Sequence, residues 1–447
     1  MAIDFSVEPE YQEKLDWAAE FVKTKVSRLD LLWPDDFYKP RHLLTDDQLS
    51  VVDPLRDEVR ANDMWACHLG PELGGPGYGQ LKLALLNEIL GRSIWGPRIF
   101  GTQAPDTGNA EIVAHFGTSE QKEKYLEPLL KGDLTSSFSM TEPHAGADPG
   151  EFTVRAERDG EEWVLNGAKF FSSNARWASF LIVLAVTDAD APLLERMSMF
   201  LVPTDTPGVD LVHHFAHWGE NPEEGSEPLI HYRNVRLPAS ALLGEEGQGF
   251  RVAQVRLGGG RVHHAMRSVG QAQVLLDAMA ERALSRTTKG ELLANKQFVQ
   301  GMLADSYVEL QQFRLFTLYT AWLIDQKQDY KAVRKDIAAI KVLIPRVLGE
   351  IGKRAIHLHG ALGTTTDMPL VKIFLHGLWH GLADGPTEVH QVTIAKQLLR
   401  DHEAAPGMWP SSLLPPRRAQ AARELFGIED ETAGIWDVGE FTGKWED

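Results

Sequence analysis

The stretch FTVRAERDGEEWVLNGAKFFSS (152–173) decides the fold, because it is where a helical chain turns into a sheet. Apolar and polar residues alternate through it, the two-residue period of a strand with one buried face. Asp159-Gly160 supplies a type I′ hairpin signal, and Asn166-Gly167 a second turn. Four β-rich runs follow: ASFLIVLAVTD (178–188), MSMFLVPTD (197–205), GVDLVHH (208–214) and PLIHYRNVRLP (228–238). Pro, Gly and Asp punctuate them, which predicts a compact antiparallel β domain over 136–245.

The flanks read as helical. In YQEKLDWAAEFVKTKV (11–26), Leu15, Ala18, Ala19, Val22 and Val26 recur at three- and four-residue steps. GPELGGPGYG (70–79) is too rich in Gly and Pro for a helix. LKLALLNEILGRS resumes the helical spacing up to Gly91, and EQKEKYLEPLLKG ends on Gly132 as a helix stop. An N-terminal helical domain over 1–135 is therefore expected. Beyond 246, Phe298, Met302, Tyr307, Leu310, Phe313 and Leu318 are expected on one broad helix face. Pro345 predicts a kink or break in the next helix. The expected units are a C-terminal helical domain at 246–405 and an extended arm at 406–447.

At 447 residues the chain is long enough for two or three packed units. The net charge of −18 argues against nucleic acid or an anionic membrane as partner. Cys67 is the only cysteine, which excludes an intramolecular disulfide and a Cys-rich metal site; no metal is expected. No stretch has the apolar length of a membrane span, and the acidic amphipathic N-terminus is unlike a secretory signal, so a cytoplasmic location is expected.

Three motifs in order carry a family resemblance. SSFSMTEPHAGADPG (136–150), NGAKFFSSNA (166–175) and HLHGALG with LADGPTEVHQVTIAK (357–396) resemble the flavin-dependent acyl-CoA dehydrogenases. The resemblance covers residues 10–400 and implies an α+β fold: an N-terminal helical domain, a middle antiparallel β domain and a C-terminal four-helix-bundle domain. APDTGNAEIVAHFGTSEQKEKYLEPLLKG (104–132), LGGGRVHHAMRSVGQAQ (257–273) and Asp-Gly-Pro at 384–386 are similar to a branch that replaces the usual Glu-Gly-Thr.

The resemblance implies FAD as cofactor and α,β-dehydrogenation of an acyl-CoA thioester. A base takes the α-proton while the β-carbon delivers hydride to flavin N5. Asp384 matches the family's C-terminal base. By itself, Asp before Gly-Pro and a helical run reads first as an N-cap; the match to the family's base position reverses that reading. The alternative base position of some relatives falls on Gly260, which carries no acid. Burial is expected to raise the pKa of Asp384.

The same resemblance places Phe138, Met140, Thr141, Phe171, Ser173, Arg286, Gln297, His357, Gly360 and Glu388 at the flavin. Arg286 would reach the pyrophosphate across a subunit boundary. Ala147 and Arg261 fall on the substrate side. His263 and His264 are adjacent on a helix and face different ways, which does not suit a metal. Expected partners are the acyl-CoA and an electron-transfer flavoprotein, with the chain a homodimer or homotetramer. A flavin oxidase, a monooxygenase or a non-catalytic flavin- or CoA-binding subunit would use the same fold. The acyl chain is not legible.

Overall fold

The computed structural model describes residues 3–37, 39–73, 75–217, 225–403 and 415–429. The chain divides into a large unit, Met1–Gln391, and a second, Val392–Asp447. In the large unit the architecture is helix, sheet, helix, the three-part order expected.

The N-terminal part contains α1 (Pro9–Phe21), α2 (Ser27–Leu32), α3 (Asp46–Ala61), α4 (Gly79–Leu90), α5 (Gly96–Ile99), α6 (Asp106–Phe116), α7 (Ser119–Gln121) and α8 (Glu127–Lys131). The stripe in the first helix buries Leu15, Ala18, Val22 and Val26, with Phe21 instead of Ala19, which is exposed. A π-helical turn over Val22–Val26 shifts the helical phase after Phe21. Thr45 and Gln48 form a capping box that starts α3. Gly132 closes α8 at φ +83°.

The middle part is an eight-stranded sheet. Its strands are β1 (Ser136–Ser139), β2 (Arg155–Asp159), β3 (Glu162–Lys169), β4 (Phe180–Val186), β5 (Met197–Pro203), β6 (Val209–Phe215), β7 (Glu227–Pro238) and β8 (Leu242–Leu243). The order is β6-β7-β3-β2-β4-β5-β8, with β1 alongside β4. Most pairs are antiparallel, but β1 pairs β4 in parallel and β2 touches β4 in parallel, so the sheet is mixed. All of β4 is buried, because one face packs on α6 and α9 and the other on β-domain residues such as Trp163, Phe200 and Tyr232.

Both expected turns differ in detail. Asp159 pairs with Glu162, so the hairpin residues are Gly160 and Glu161. Only Gly160 has positive φ, which fits a type II′ turn and not type I′. Asn166-Gly167 is no turn. Gly167, at φ +137°, sits in a bulge where the register of β3 against β7 shifts.

The C-terminal part is built on α9 (Gly249–Ser285), α10 (Gln297–Lys327), α11 (Arg334–His359), α12 (Leu370–His380) and α13 (Thr387–Arg400), with a two-strand hairpin, β9 (Thr287–Thr288) and β10 (Glu291–Leu292), between α9 and α10. Leu275, Leu310, Phe313, Ile340 and Leu348 interlock in its core. Phe298 and Tyr307 are not on the core face of α10; they are 90% and 57% exposed, and Val299 and Ser306 take the inward positions. Pro345 lies inside an unbroken α11. The expected C-terminal arm contains a helix, α14 (Pro415–Phe426); residues 406–414 and 430–447 lie outside those described.

Candidate active site

Asp384 lies in the loop between α12 and α13. Its φ is +55° and that of Gly385 +97°, two successive left-handed residues that turn the chain sharply before Pro386. Asp tolerates this region better than most side chains. Arg261, on α9, donates from Nε to the Asp384 carbonyl at 3.0 Å and fixes the turn. Arg261 is therefore a partly buried tether of this loop.

The capping reading of Asp384 does not hold. The Thr387 amide donates to the Gly381 carbonyl at 2.9 Å, and that of Val389 to the Pro386 carbonyl at 3.0 Å. The carboxylate points instead at α9. Its Oδ2 lies 3.4 Å from His264 Nε2 and its Oδ1 3.8 Å from Arg256 Nη1, with the side chain 19% exposed. A Cβ on Gly260 would stand 3.9 Å from Oδ2, so the missing side chain there leaves space at the carboxylate.

Burial raises the carboxyl pKa of Asp384, as expected. His264, Arg256 and Arg261 outweigh it and hold the group well below the usual carboxylate range. The net direction is opposite to the expectation from burial alone. Asp384 is anionic because cations surround it.

Those cations are themselves anchored. Arg256 Nε donates to Asn109 Oδ1 at 2.9 Å, and Asn109 donates to Ser136 Oγ at 2.9 Å. Asp106 accepts from the Ser136 amide at 2.8 Å and its hydroxyl at 2.6 Å. The Arg256 guanidinium also lies 4.1 Å from the Phe138 ring centre, a cation–π contact. One polar chain thus joins α6, β1 and α9 to Asp384. Beside it, burial pushes the Glu111 carboxyl up to about 7, against the opposing pull of Arg256.

A second constellation lies at the end of β3. Phe171, at φ +51° and 43% exposed, stacks on Phe170 and Phe215 with ring centres 4.3 and 5.0 Å away. Ser173 donates to Glu227 Oε1 at 2.6 Å, and the other Glu227 oxygen meets His217 Nε2 at 2.9 Å. Met140 and Thr141 follow β1; their carbonyls accept from Lys169 Nζ and the Phe170 amide. The Thr141 hydroxyl has no hydrogen-bond partner among the described residues. Trp379 links the two constellations, its ring 6.4 Å from His217 and 6.2 Å from His264. Phe138 therefore touches the Asp384 cluster through Arg256, and Ser173 is connected to it only through Glu227, His217 and Trp379.

Other expected residues are elsewhere. Arg286 ends α9, about 37 Å along the helix axis from Arg261. His357 ends α11, about 24 Å along its axis from Lys341, which packs at the site by donating to the His380 carbonyl. Arg286, Gln297, His357 and Gly360 are all exposed. Within one chain they do not join the Asp384 cluster. Glu388 and Ala147 are exposed, and neither side chain has a hydrogen-bond partner among the described residues. His263 and His264 do face apart: His264 meets Asp384, while His263 is buried beside Arg267 and His68. No metal-binding cluster occurs among the described residues.

The residues that sequence reasoning missed are His264 as a carboxylate partner, Arg256, Asn109, Asp106, Glu111, Glu227 and His217. The available signal was a run of polar side chains, Asp106, Thr107 and Asn109, on a helix with apolar neighbours.

Fold and site together define a three-part helix–sheet–helix protein with a buried, cation-held carboxylate beside a half-exposed aromatic face. Family models for the N-terminal, middle and C-terminal domains of acyl-CoA dehydrogenases match residues 9–133, 137–229 and 247–399. The chain belongs to the acyl-CoA dehydrogenase family, oxidoreductases that act on CH–CH groups. It is 41% identical over 353 residues to a Mycobacterium tuberculosis protein described as "Probable acyl-CoA dehydrogenase FadE2", covering 77% of this chain and 85% of that one. It is 39% identical over 356 residues to acyl-CoA dehydrogenase family member 11 of Rattus norvegicus, covering 78% of this chain and 45% of the rat protein. The chain thus spans about half the length of that relative. A solved structure described as that of "a putative acyl-CoA dehydrogenase from Mycobacterium abscessus" superposes with a TM-score of 0.82 at 35% identity, covering 89% of this chain and all of the other.

Proposed function

We propose that this chain binds FAD and oxidises an acyl-CoA thioester to the 2-enoyl-CoA, with Asp384 removing the α-proton. The observation that carries the reading is the Asp384 carboxylate: largely buried, anionic, and with no side-chain donor closer than His264 at 3.4 Å among the described residues. A lone pair on such an oxygen is free to accept a proton from carbon.

The residues at the end of β3 suit a flavin. Phe171 offers a half-exposed ring face for stacking, and Thr141 and Ser173 offer hydroxyls beside it. Bound there, FAD would accept the hydride that leaves the β-carbon. The chain's own residues do the rest. Arg261 holds the Asp384 turn, and Arg256 lies by the other carboxylate oxygen. Arg286, Gln297, His357 and Gly360 fit a flavin site completed by a second copy, since they are too far from Asp384 to share one site within a chain. The exposed Leu284 at the end of α9 and Phe298, Tyr307, Val308 and Leu315 along α10 support a homodimer or homotetramer. An electron-transfer flavoprotein is the proposed acceptor.

The test is anaerobic. Purified protein is expected to carry FAD and to lose its absorbance near 450 nm with at least one member of a series of acyl-CoAs of different length. Flavin that stays oxidised with every thioester, or protein that binds none, contradicts the reading.

A further inference from the structure

The proposed reaction needs a base, and Asp384 sits among groups that weaken its basicity. Arg256 and Arg261 keep their charge at any working pH. Of the three basic groups bearing on this carboxylate, only His264 changes its charge within that range. Its Nε2 is the nearest basic side-chain atom to the carboxylate among the described residues, 3.4 Å from Oδ2. Its ring packs against His380 and Trp379, with centres 4.6 and 6.2 Å away, so it cannot turn aside freely.

We infer that His264 is a positioning residue that holds the Asp384 carboxylate and sets its basicity through its own protonation state. The inference rests on the reading of Asp384 as the base. With His264 neutral, its Nε2 proton orients the carboxylate without adding charge, and Asp384 is at its most basic. A proton on His264 places a full positive charge against Oδ2, and the α-proton is removed more slowly although Asp384 remains ionised. The transferred proton still moves from the α-carbon to Asp384 in both states.

The surroundings favour neutral His264 near neutral pH. Burial depresses its pKa, with Asp384 opposing and Arg267 and Lys341 assisting. The other groups facing it are His376 and His380 on α12 and His263 on its own helix; burial pushes all three imidazoles down as well. Lys341, on α11, is tied to the His380 carbonyl. His264 alone among these imidazoles touches a carboxylate, so it is the one that accepts a proton first as pH falls.

The experiment compares wild type, His264→Gln, His264→Leu and Asp384→Asn as FAD holoenzymes. It measures the pH dependence of anaerobic flavin reduction and, separately, His264 titration by NMR of [15N]histidine-labelled protein. His264→Leu is expected to slow reduction at least tenfold at neutral pH. Gln offers a donor that does not titrate, so His264→Gln recovers part of the rate, and its acid limb vanishes or moves well below that of wild type. In Asp384→Asn the His264 pKa falls, because its carboxylate partner is gone. A wild-type acid limb in His264→Gln, or a His264 pKa indifferent to Asp384→Asn, overturns the inference. Should His264→Leu fail to hold flavin, those two readouts decide. Full reduction in Asp384→Asn would instead overturn the reading of Asp384 as base, a separate failure.

Discussion

Two carboxylates, the fully buried Glu142 and the largely buried Asp384, lie in the same fold and are treated in opposite ways. Glu142 is saturated. It accepts from the amides of Thr153 and Val154 at 2.7 and 3.0 Å, from the Thr153 hydroxyl at 2.9 Å, and from Lys169 Nζ at 2.9 Å. Asp384 has two guanidinium groups near it, but the closest basic atoms among the described residues, His264 Nε2 and Arg256 Nη1, are 3.4 and 3.8 Å away. Glu142 has four donors at hydrogen-bond distance and no oxygen to spare, so it pins the loop that carries Met140 and Thr141. Asp384 is kept ionised by field and keeps its lone pairs. Charge fixes whether a buried acid ionises, and hydrogen-bond saturation fixes whether it can still act as a base.

The sharpest way to break this comparison is to remove each charge. Asp384→Asn is expected to lose about a thousandfold or more in flavin reduction, with the flavin spectrum intact, as stopped-flow absorbance would record. Lys169→Met leaves Glu142 buried without its counter-ion. That should cost about 3–5 kcal/mol of stability, read as a fall in Tm or in the urea midpoint.

A smaller effect is expected from Arg261→Ala, which frees the Asp384 carbonyl while leaving the carboxylate. A tenfold to hundredfold loss in the reduction rate, about 1–3 kcal/mol, would place its role in holding the turn.

Glu111 sharpens the comparison from a third side, as a buried acid with neither saturation nor sufficient charge. Its pKa is raised from 4.5 to about 7. Between those values the folded state holds a proton that the unfolded state has released, so stability falls as pH rises from 4.5 to 7. Glu111→Gln should flatten that slope and gain up to about 2 kcal/mol above pH 7, measured by denaturant unfolding at pH 5 and pH 8.

Much of the fold was legible because local signals agreed with the tertiary result. The alternation in 152–169, Gly132 as a helix stop and the helical stripes each act within one element. Failures arose where tertiary packing decided. Phe298 and Tyr307 look like core residues by type, yet the inward face of α10 carries Val299, Ser306 and Thr317. Asn166-Gly167 has turn chemistry but serves as a bulge, because β7 continues past it. Pro345 stays within a helix because packing on both sides holds the turn.

In the site, Asp384 was legible by resemblance, and its surroundings were not. Arg256 meets Asn109 across 147 residues, and Arg261 meets Asp384 across 123. No local pattern encodes such pairs. The error in the Asp384 pKa direction has the same origin: burial is legible in sequence, and the cations that reverse its effect come from a helix more than a hundred residues away.

The most direct measurement follows the α-proton itself. Holoenzyme incubated in D2O with an acyl-CoA that it binds should wash deuterium into the α-carbon, as mass spectrometry of the recovered thioester would show, and Asp384→Asn should abolish that exchange. Wild-type deuterium incorporation in the Asn variant would contradict the account, because another group would then be removing the proton.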